Sequence, residues 1–312
     1  MSYFYLPRIY GEVDLKNKEI TYNNQEKMSS FSLVDYLKKF DNEKKKNKES
    51  VNYFKKKYFP YYLLNSINNE INNEINNEIK FNNYVPVHRK FFIFLEILNT
   101  IVFIQNINLK NILILNIGDY DLSIKESYLY VFNRTNKSAD VHFFSLNKIN
   151  DLHKEKVIQL KDVSKDLLNK KTLTNIFTHY KKYFHIINCD IKEKNFYKYE
   201  KNISFCSYIF INILYSLLMQ QFNGYMIVKL PNIFNHTYQE ILYFLSSIYE
   251  KVIVIKPQIC KNLKSEKYIV CKNLIFNCNP YLLYEIISNY IDHFNSNNLL
   301  YINKILWQDI PL

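Results

Sequence analysis

Two apolar runs near the C-terminus constrain the fold more than any other feature of this sequence. The runs are K-V-I-V-I-K-P (251–257) and K-Y-I-V-C-K (267–272), and only ten residues separate Lys256 from Lys267. Parallel neighbours in a sheet need a crossover of a dozen or more residues, whereas a short connection joins antiparallel strands. The spacing therefore predicts that these two strands pair in antiparallel fashion.

The chain before this pair alternates between apolar, strand-like runs and helical patterns. The predicted strands lie at 111–116, 139–146, 156–160, 183–190 and 224–230. Helices are predicted at 87–105, 123–133, 164–181, 203–222 and 235–249, with closing helices at 280–295 and 298–307. Such alternation is typical of a doubly wound α/β sheet with helices on both faces. With the last two strands, the expectation is a mostly parallel, seven-stranded sheet with one antiparallel strand.

The composition divides the chain into three regions. Residues 1–80 contain the charge run E-K-K-K-N-K-E and three tandem copies of I-N-N-E. We interpret them as an N-terminal extension, partly helical and partly of low complexity, that offers a surface for a protein partner. Residues 81–279 are predicted to form the main domain. Residues 280–312 are predicted to form C-terminal helices that pack on its core.

The charge balance permits a polyanionic partner without demanding one. The formal net charge is +12, from 41 basic and 29 acidic residues. A basic excess of this kind favours nucleic acid as a partner. However, the sequence is crowded with Lys, Asn, Ile and Tyr and has only three glycines. This bias is typical of an A/T-rich genome, and we attribute part of the basic excess to it.

Cysteine spacing and hydropathy give expectations about metals, membranes and location. The five cysteines form no C-x-x-C pair, so no zinc site is predicted. The N-terminus lacks a secretory signal pattern, which favours reduced thiols and a cytoplasmic location. The apolar runs at 91–107 and 205–222 are short for membrane spans, and we interpret both as buried helices.

Three short motifs in the C-terminal half carry a family resemblance. They are I-V-K-L (227–230), K-P (256–257) and K-S-E-K-Y-I-V-C (264–271). The chain resembles the FtsJ-like RNA ribose 2'-O-methyltransferases, in particular the viral cap methyltransferase branch, over roughly residues 85–275. In that family the corresponding strands end in V-V-K-x and K-P, and a loop runs into S-S-E-x-Y-L-V-C. The resemblance implies a Rossmann-like, S-adenosylmethionine-dependent methyltransferase fold.

The resemblance also implies a catalytic set. The family uses a Lys-Asp-Lys-Glu tetrad in which the second lysine removes the proton of the ribose hydroxyl. By this resemblance Lys229 is the base, and Asp190 and Glu266 position it. A lysine can act in this way only if its pKa falls well below the usual ~10.4. No metal is required. The first lysine of the tetrad has no clear counterpart, because the family's K-L-x-E setting places Ile93 at its position.

Lys90 is the nearest substitute for that missing lysine. It lies three residues before Ile93, on nearly the same face of the predicted helix. Interpretation as an ordinary surface lysine at a helix start remains equally open.

The cofactor loop departs from the family pattern D-x-G-x-x-P-G-G. The chain reads N-I-G-D-Y-D at 116–121, so Gly118 is the one family glycine retained there. The resemblance implies that S-adenosylmethionine binds at this loop and after the neighbouring strands. The candidate binding residues are Asn116, Gly118, Asp119, Asp121, Ser145 and Asp162. Ser145 stands where an acidic residue normally holds the ribose diol, and Asp162 is a candidate for the adenine amino group.

The expected activity is methylation of a ribose 2'-hydroxyl in RNA, at a nucleotide next to the 5' cap of viral-type mRNA. If the protein is viral, its location is the site of viral replication. Two alternatives stay open. The altered loop favours a degenerate methyltransferase fold that serves as a non-catalytic RNA-binding or scaffolding subunit. A methyltransferase acting on ribosomal or transfer RNA is the other.

Overall fold

The computed structural model contains an α/β core built around one sheet. It describes residues 2–10, 21–23, scattered positions between 32 and 50, 90–100, 110–118, 122–135, 140–146, 157–164, 166–191, 205–231, 236–258, 260, 267–277, 279–296 and 301–304. The other residues lie outside this description. They include Asp119, Asp121 and Glu266.

Strands and helices alternate through the core. The strands are β1 (Ser2–Leu6), β2 (Thr21–Asn23), β3 (Asn111–Gly118), β4 (Asp140–Ser145), β5 (Ile158–Gln159), β6 (Phe184–Asp190), β7 (Gln220–Leu230), β8 (Tyr249–Lys256), β9 (Lys267–Leu274) and β10 (Tyr301–Lys304). The helices are α1 (Lys90–Thr100), α2 (Leu122–Thr135), α3 (Lys170–Tyr180), α4 (Phe205–Met219), α5 (His236–Ile248) and α6 (Pro280–Ser296).

The main sheet has eight strands in the order β1-β8-β9-β7-β6-β3-β4-β5. Strands β7, β6, β3, β4 and β5 run parallel, and β9 is antiparallel to both β7 and β8. The α/β class and the antiparallel pairing of β8 with β9 are therefore confirmed. The predicted seven-strand count with one antiparallel strand was wrong, because β1 adds an eighth strand antiparallel to β8.

Two layers of apolar side chains cover the two faces of the sheet. One face packs against α1 and α2 through residues such as Phe94 and Tyr128. The other face packs against α3, α4, α5 and α6. Helix α4 is buried along nearly its whole length, which explains its continuous apolar sequence. A helix enclosed on all sides needs no polar face. Within the described residues, no helix combines the length and apolar character needed to cross a membrane.

Three predicted elements differ from the structure in their bounds or their type. Helix α3 begins at Lys170 instead of 164, since the Asn169 side chain caps it by accepting a hydrogen bond from the backbone N–H of Lys171. Helix α4 ends at Met219, where β7 begins. The closing helix predicted at 298–307 is incorrect for 301–304, which form β10 and pair with β2.

Candidate active site

Four neighbouring strands bring the candidate catalytic residues together at the side of the sheet where the parallel strands have their C-terminal ends. This side is called the edge below. Gly118 at the end of β3 lies opposite Asp190 at the end of β6. Cys189 of β6 pairs with Val228 of β7, so Asp190 and Lys229 follow side by side. Lys229 in turn lies opposite Tyr268 of β9. This is the edge at which open α/β sheets bind ligands, next to the point where the strand order reverses between β3 and β6.

Asp190 holds one lysine at each carboxylate oxygen. Its Oδ2 forms an ion pair with the Nζ of Lys90, and its Oδ1 lies 3.6 Å from the Nζ of Lys229. The carboxylate is buried, with 1% of its side chain exposed. A buried carboxylate is tolerated when opposite charges pair with it. Three members of the expected tetrad, Lys90, Asp190 and Lys229, are therefore in contact, while Glu266 lies outside the described residues.

The two lysines differ in solvent exposure and in their distance from Asp190. The Lys90 side chain is 7% exposed and the Lys229 side chain is 15% exposed. The longer Lys229–Asp190 distance exceeds that of a hydrogen bond, so this amine is held more loosely. Lys229 is consequently the amine that a substrate reaches more easily. Ile93, the family's lysine position by alignment, is a core residue with 2% exposure.

Helix α1 delivers Lys90 and is fixed by two further contacts along its length. The ring of Phe94, one turn after Lys90, packs edge-on against Tyr268, with 5.9 Å between ring centroids. Both carboxylate oxygens of Glu96 accept the backbone N–H of Gln258 at 3.0 Å, just beyond the end of β8. The role of Glu96 was not predicted from the sequence. The signal available was a carboxylate inside an otherwise apolar run.

Gly118 allows β3 and β6 to approach at the edge. It has φ +113°, a conformation that side chains rarely adopt, and a Cβ there would lie 2.6 Å from the backbone oxygen of Asp190. The glycine is thus required by the approach of Asp190 to β3, a reason independent of any cofactor.

Replacing Gly118 should therefore be destabilising. We expect Gly118→Ala to lower the free energy of unfolding by at least about 2 kcal/mol, from the strained φ and the clash with Asp190. Urea unfolding followed by circular dichroism measures this difference. Gly224→Ala separates the two causes, because a Cβ at Gly224 would also clash with backbone, at 2.8 Å from the Gln221 carbonyl oxygen, but without the positive φ of Gly118. We expect it to be less destabilised than Gly118→Ala. Equal stability of Gly118→Ala and the wild type would contradict the steric account.

The candidate cofactor residues are distributed unevenly around this edge. Asn116 is buried in β3 at 5% exposure, two pairs below the Gly118–Asp190 pair, and lies between Ser145 and Asn188 across the sheet. Ser145 is fully buried at the end of β4. Asp162 follows β5 with an exposed side chain and a left-handed backbone (φ 58°). Of these candidates, Gly118 and Asp162 are at least partly exposed to solvent, whereas the Ser145 hydroxyl is buried.

A buried tyrosine of α2 is hydrogen-bonded to β6 two residues before Asp190. The hydroxyl of Tyr128 in α2 donates a hydrogen bond of 2.7 Å to Oδ1 of Asn188 in β6. Burial raises the pKa of Tyr128 far above its usual value, so the hydroxyl stays protonated and can donate. Within the residues described here, His, Cys, Asp and Glu do not form a group of three or more that could hold a metal ion.

Two solved structures of methyltransferases are similar to this fold. A protein from Listeria monocytogenes assigned to the class I S-adenosylmethionine-dependent methyltransferases shares 12% identity, covers 76% of this chain and 80% of its own, and has a TM-score of 0.40. Human methyltransferase-like protein 13 in complex with S-adenosylhomocysteine shares 10% identity, covers 71% of this chain and 95% of its own, and has a TM-score of 0.32. No curated protein sequence matches the chain significantly. Residues 127–274, slightly under half of the chain, match the model of the FtsJ-like methyltransferase family.

Proposed function

We propose that the protein is an S-adenosylmethionine-dependent RNA ribose 2'-O-methyltransferase that acts on the nucleotide next to the mRNA cap. The observation that carries the proposal is the Asp190 carboxylate, which contacts Lys90 at one oxygen and Lys229 at the other, at the ligand-binding edge of the sheet. The family match over 127–274 contains Asp190 and Lys229 and supports methyl transfer as the reaction class. The RNA substrate rests on the family resemblance and the basic charge balance.

Lys229 is assigned as the general base. Its neutral amine takes the proton of the 2'-hydroxyl while the oxygen attacks the methyl carbon. The amine ends the step as an ammonium, and the oxygen–carbon bond replaces the sulfur–carbon bond. When bound, S-adenosylmethionine supplies an electrophilic methyl group on a sulfonium sulfur. Gly118 and Asp162 are the described residues that would hold it, and Glu266 is proposed to complete the set around Lys229.

Asp190 and Lys90 act on the geometry of the base. The buried carboxylate keeps the Lys229 amine at the edge, and Lys90 occupies its second oxygen so that the carboxylate is held in one orientation. Positioning of this kind matters because proton transfer needs the donor and acceptor within hydrogen-bond reach.

The direct test measures transfer of a labelled methyl group to RNA. The purified protein is incubated with methyl-labelled S-adenosylmethionine and either a capped RNA or the same RNA with a 2'-deoxy sugar at the nucleotide next to the cap. The proposal predicts incorporation into the first and none into the second. An uncapped RNA tests the cap requirement separately. Equal labelling of the deoxy substrate would rule out the 2'-hydroxyl as the acceptor.

A non-catalytic RNA-binding subunit is the second candidate. The complete burial of Ser145, at the position where an acidic residue normally holds the cofactor's ribose, favours it. Calorimetric titration with S-adenosylmethionine separates the two candidates. Micromolar binding supports the enzyme, and no binding alongside intact RNA binding supports the subunit.

Glu96 provides a test of how α1 contributes to the proposed reaction. We expect Glu96→Ala to lower kcat about tenfold with little change in KM, because it removes a contact that fixes α1 about two turns after Lys90 without touching the substrate. Glu96→Gln should retain most activity, since its side-chain carbonyl can still accept the Gln258 N–H. Loss of activity in Glu96→Gln equal to that in Glu96→Ala would contradict this positioning role.

A further inference from the structure

Two lysines outside the catalytic set lie directly across from each other at the same edge of the sheet. Ile255 of β8 pairs with Tyr268 of β9. The next pair toward the edge is therefore Lys256, the last residue of β8, and Lys267, the first residue of β9. Both side chains are only partly exposed. Like charges directly opposite each other destabilise a strand pair.

The lysine pair is close to Lys229 but uses the opposite face of the sheet. Lys267 lies across from Leu230, and Lys229 lies across from Tyr268. Because successive side chains in a strand point to opposite faces, Lys267 and Lys256 point away from the face that carries Lys229 and α1. The strand carrying Lys256 lies two strand spacings from β7, roughly 10 Å. Positively charged side chains therefore lie on both faces of the sheet at this edge, with Lys229 on one face and Lys256 and Lys267 on the other.

A backbone hydrogen bond holds the segment that follows Lys256. The β8 strand is followed by a turn in which the backbone N–H of Cys260 donates to the carbonyl of Pro257 at 3.1 Å. Burial, together with the charge of Lys256, lowers the pKa of Lys267. The fold thus holds two ammonium groups close together, and the charge of Lys256 disfavours the charged form of Lys267. An anion that binds there offsets their repulsion.

We propose that Lys256 and Lys267 form a binding site for a backbone phosphate of the RNA substrate, next to the nucleotide whose ribose reaches Lys229. This inference rests on the proposed function for the identity of its ligand. Lysine binds phosphate as a point charge, without the fixed two-bond geometry that an arginine imposes. Phosphate contacts of this kind position a nucleic acid without reading its sequence.

A second lysine pair on the same two strands supplies a matched control. Lys251 of β8 lies across from Lys272 of β9. That pair is five residues away from Lys256 along β8, roughly 16 Å toward the opposite edge of the sheet. The double variants Lys256→Met/Lys267→Met and Lys251→Met/Lys272→Met therefore remove the same charge from the same strands at different ends.

The experiment measures the affinity of each full-length variant for a short single-stranded RNA over roughly 50 to 200 mM NaCl. For the first variant we expect the slope of log K against log salt to become shallower by about 0.7, because the two lysines hold one phosphate and each phosphate contact on a single strand contributes about 0.7. The control should keep the wild-type slope. A thermal unfolding midpoint no lower than that of the wild type shows that the first variant is folded.

Three outcomes would overturn the proposal: an unchanged slope in the first variant, an equal loss of slope in both variants, or a wild-type protein that does not bind RNA. Kinetics provide a second readout, in which the first variant raises KM for RNA while kcat at saturating RNA is unchanged. A slope change without any methyl transfer leaves the phosphate site standing and removes the proposed enzyme. If methyl is transferred to RNA but the first variant keeps the wild-type slope, the proposed enzyme stands and the phosphate site is ruled out.

Discussion

Lys229→Met is expected to lower methyl transfer by about 10²- to 10⁴-fold, the usual contribution of a general base. Methionine keeps most of the length of the side chain but has no amine to accept the hydroxyl proton. The fold should survive, because Lys229 is the more exposed of the two lysines and its strand is held between β6 and β9. The measurement is kcat with saturating RNA and S-adenosylmethionine, accompanied by circular dichroism.

Lys229→Arg is the control that separates charge from proton transfer. Arginine keeps the positive charge beside Asp190 but does not release its proton at neutral pH. It should therefore be as inactive as Lys229→Met while it retains the RNA affinity and the salt dependence of the wild type. Substantial activity in either variant would remove Lys229 as the base and with it the proposed mechanism.

Asp190→Ala is expected to lower the free energy of unfolding by about 3–5 kcal/mol. The variant leaves the ammonium of Lys90, which is 7% exposed, without its carboxylate inside the protein. An unpaired buried charge is strongly destabilising, whereas Lys229 can shift toward solvent. Urea unfolding gives the difference, and methyl transfer should be lost as well.

The double variant Lys90→Met/Asp190→Ala tests the cause of that loss. It removes both charges together, and an apolar side chain of similar length replaces the lysine. Replacement of a buried ion pair by apolar groups is often close to neutral, so the double variant should recover most of the stability lost in Asp190→Ala while it remains inactive. If the double variant is as unstable as the single one, then the penalty comes from the lost volume of Asp190 instead of from an uncompensated charge.

Much of the sheet could be predicted from the sequence because its strands are apolar and separated by helical patterns. The short connection between Lys256 and Lys267 was enough to predict an antiparallel pair. The end of α4 was not predictable in the same way, since the apolar run continues past Met219 into β7. There the buried side chain of Gln220 accepts a hydrogen bond from the hydroxyl of Tyr249, a partner 29 residues away in sequence. Local hydrophobicity does not record such a contact.

Strand β10 shows the same limit over a longer distance. Its short segment, Y-I-N-K, has no strong intrinsic preference, and its strand state comes from pairing with β2 near the other end of the chain. Strand conformation depends on such a partner more than helix does. The sequence pattern alone therefore predicted a separate closing helix at 298–307.

The candidate site was predictable where strand ends carry it and ambiguous where a helix carries it. Asp190 and Lys229 occupy fixed positions at the ends of adjacent parallel strands, so the motif located both. Lys90 and Ile93 lie one turn apart on a similar face of α1, and periodicity does not decide which of them reaches Asp190. That choice depends on how α1 is set against the sheet, which involves Phe94, Tyr268 and the contact between Glu96 and Gln258.

The pairing of β1 with β8 has a practical consequence for anyone who shortens this protein. Five of the first ten residues, Ser2 to Leu6, pair with the outer side of β8. Deletion of these residues would turn the apolar β8 into an edge strand. Its unpaired backbone N–H and C=O groups could then pair with another chain. Aggregation of such a truncated protein during purification would then result from the loss of β1 and would carry no information about the catalytic chemistry.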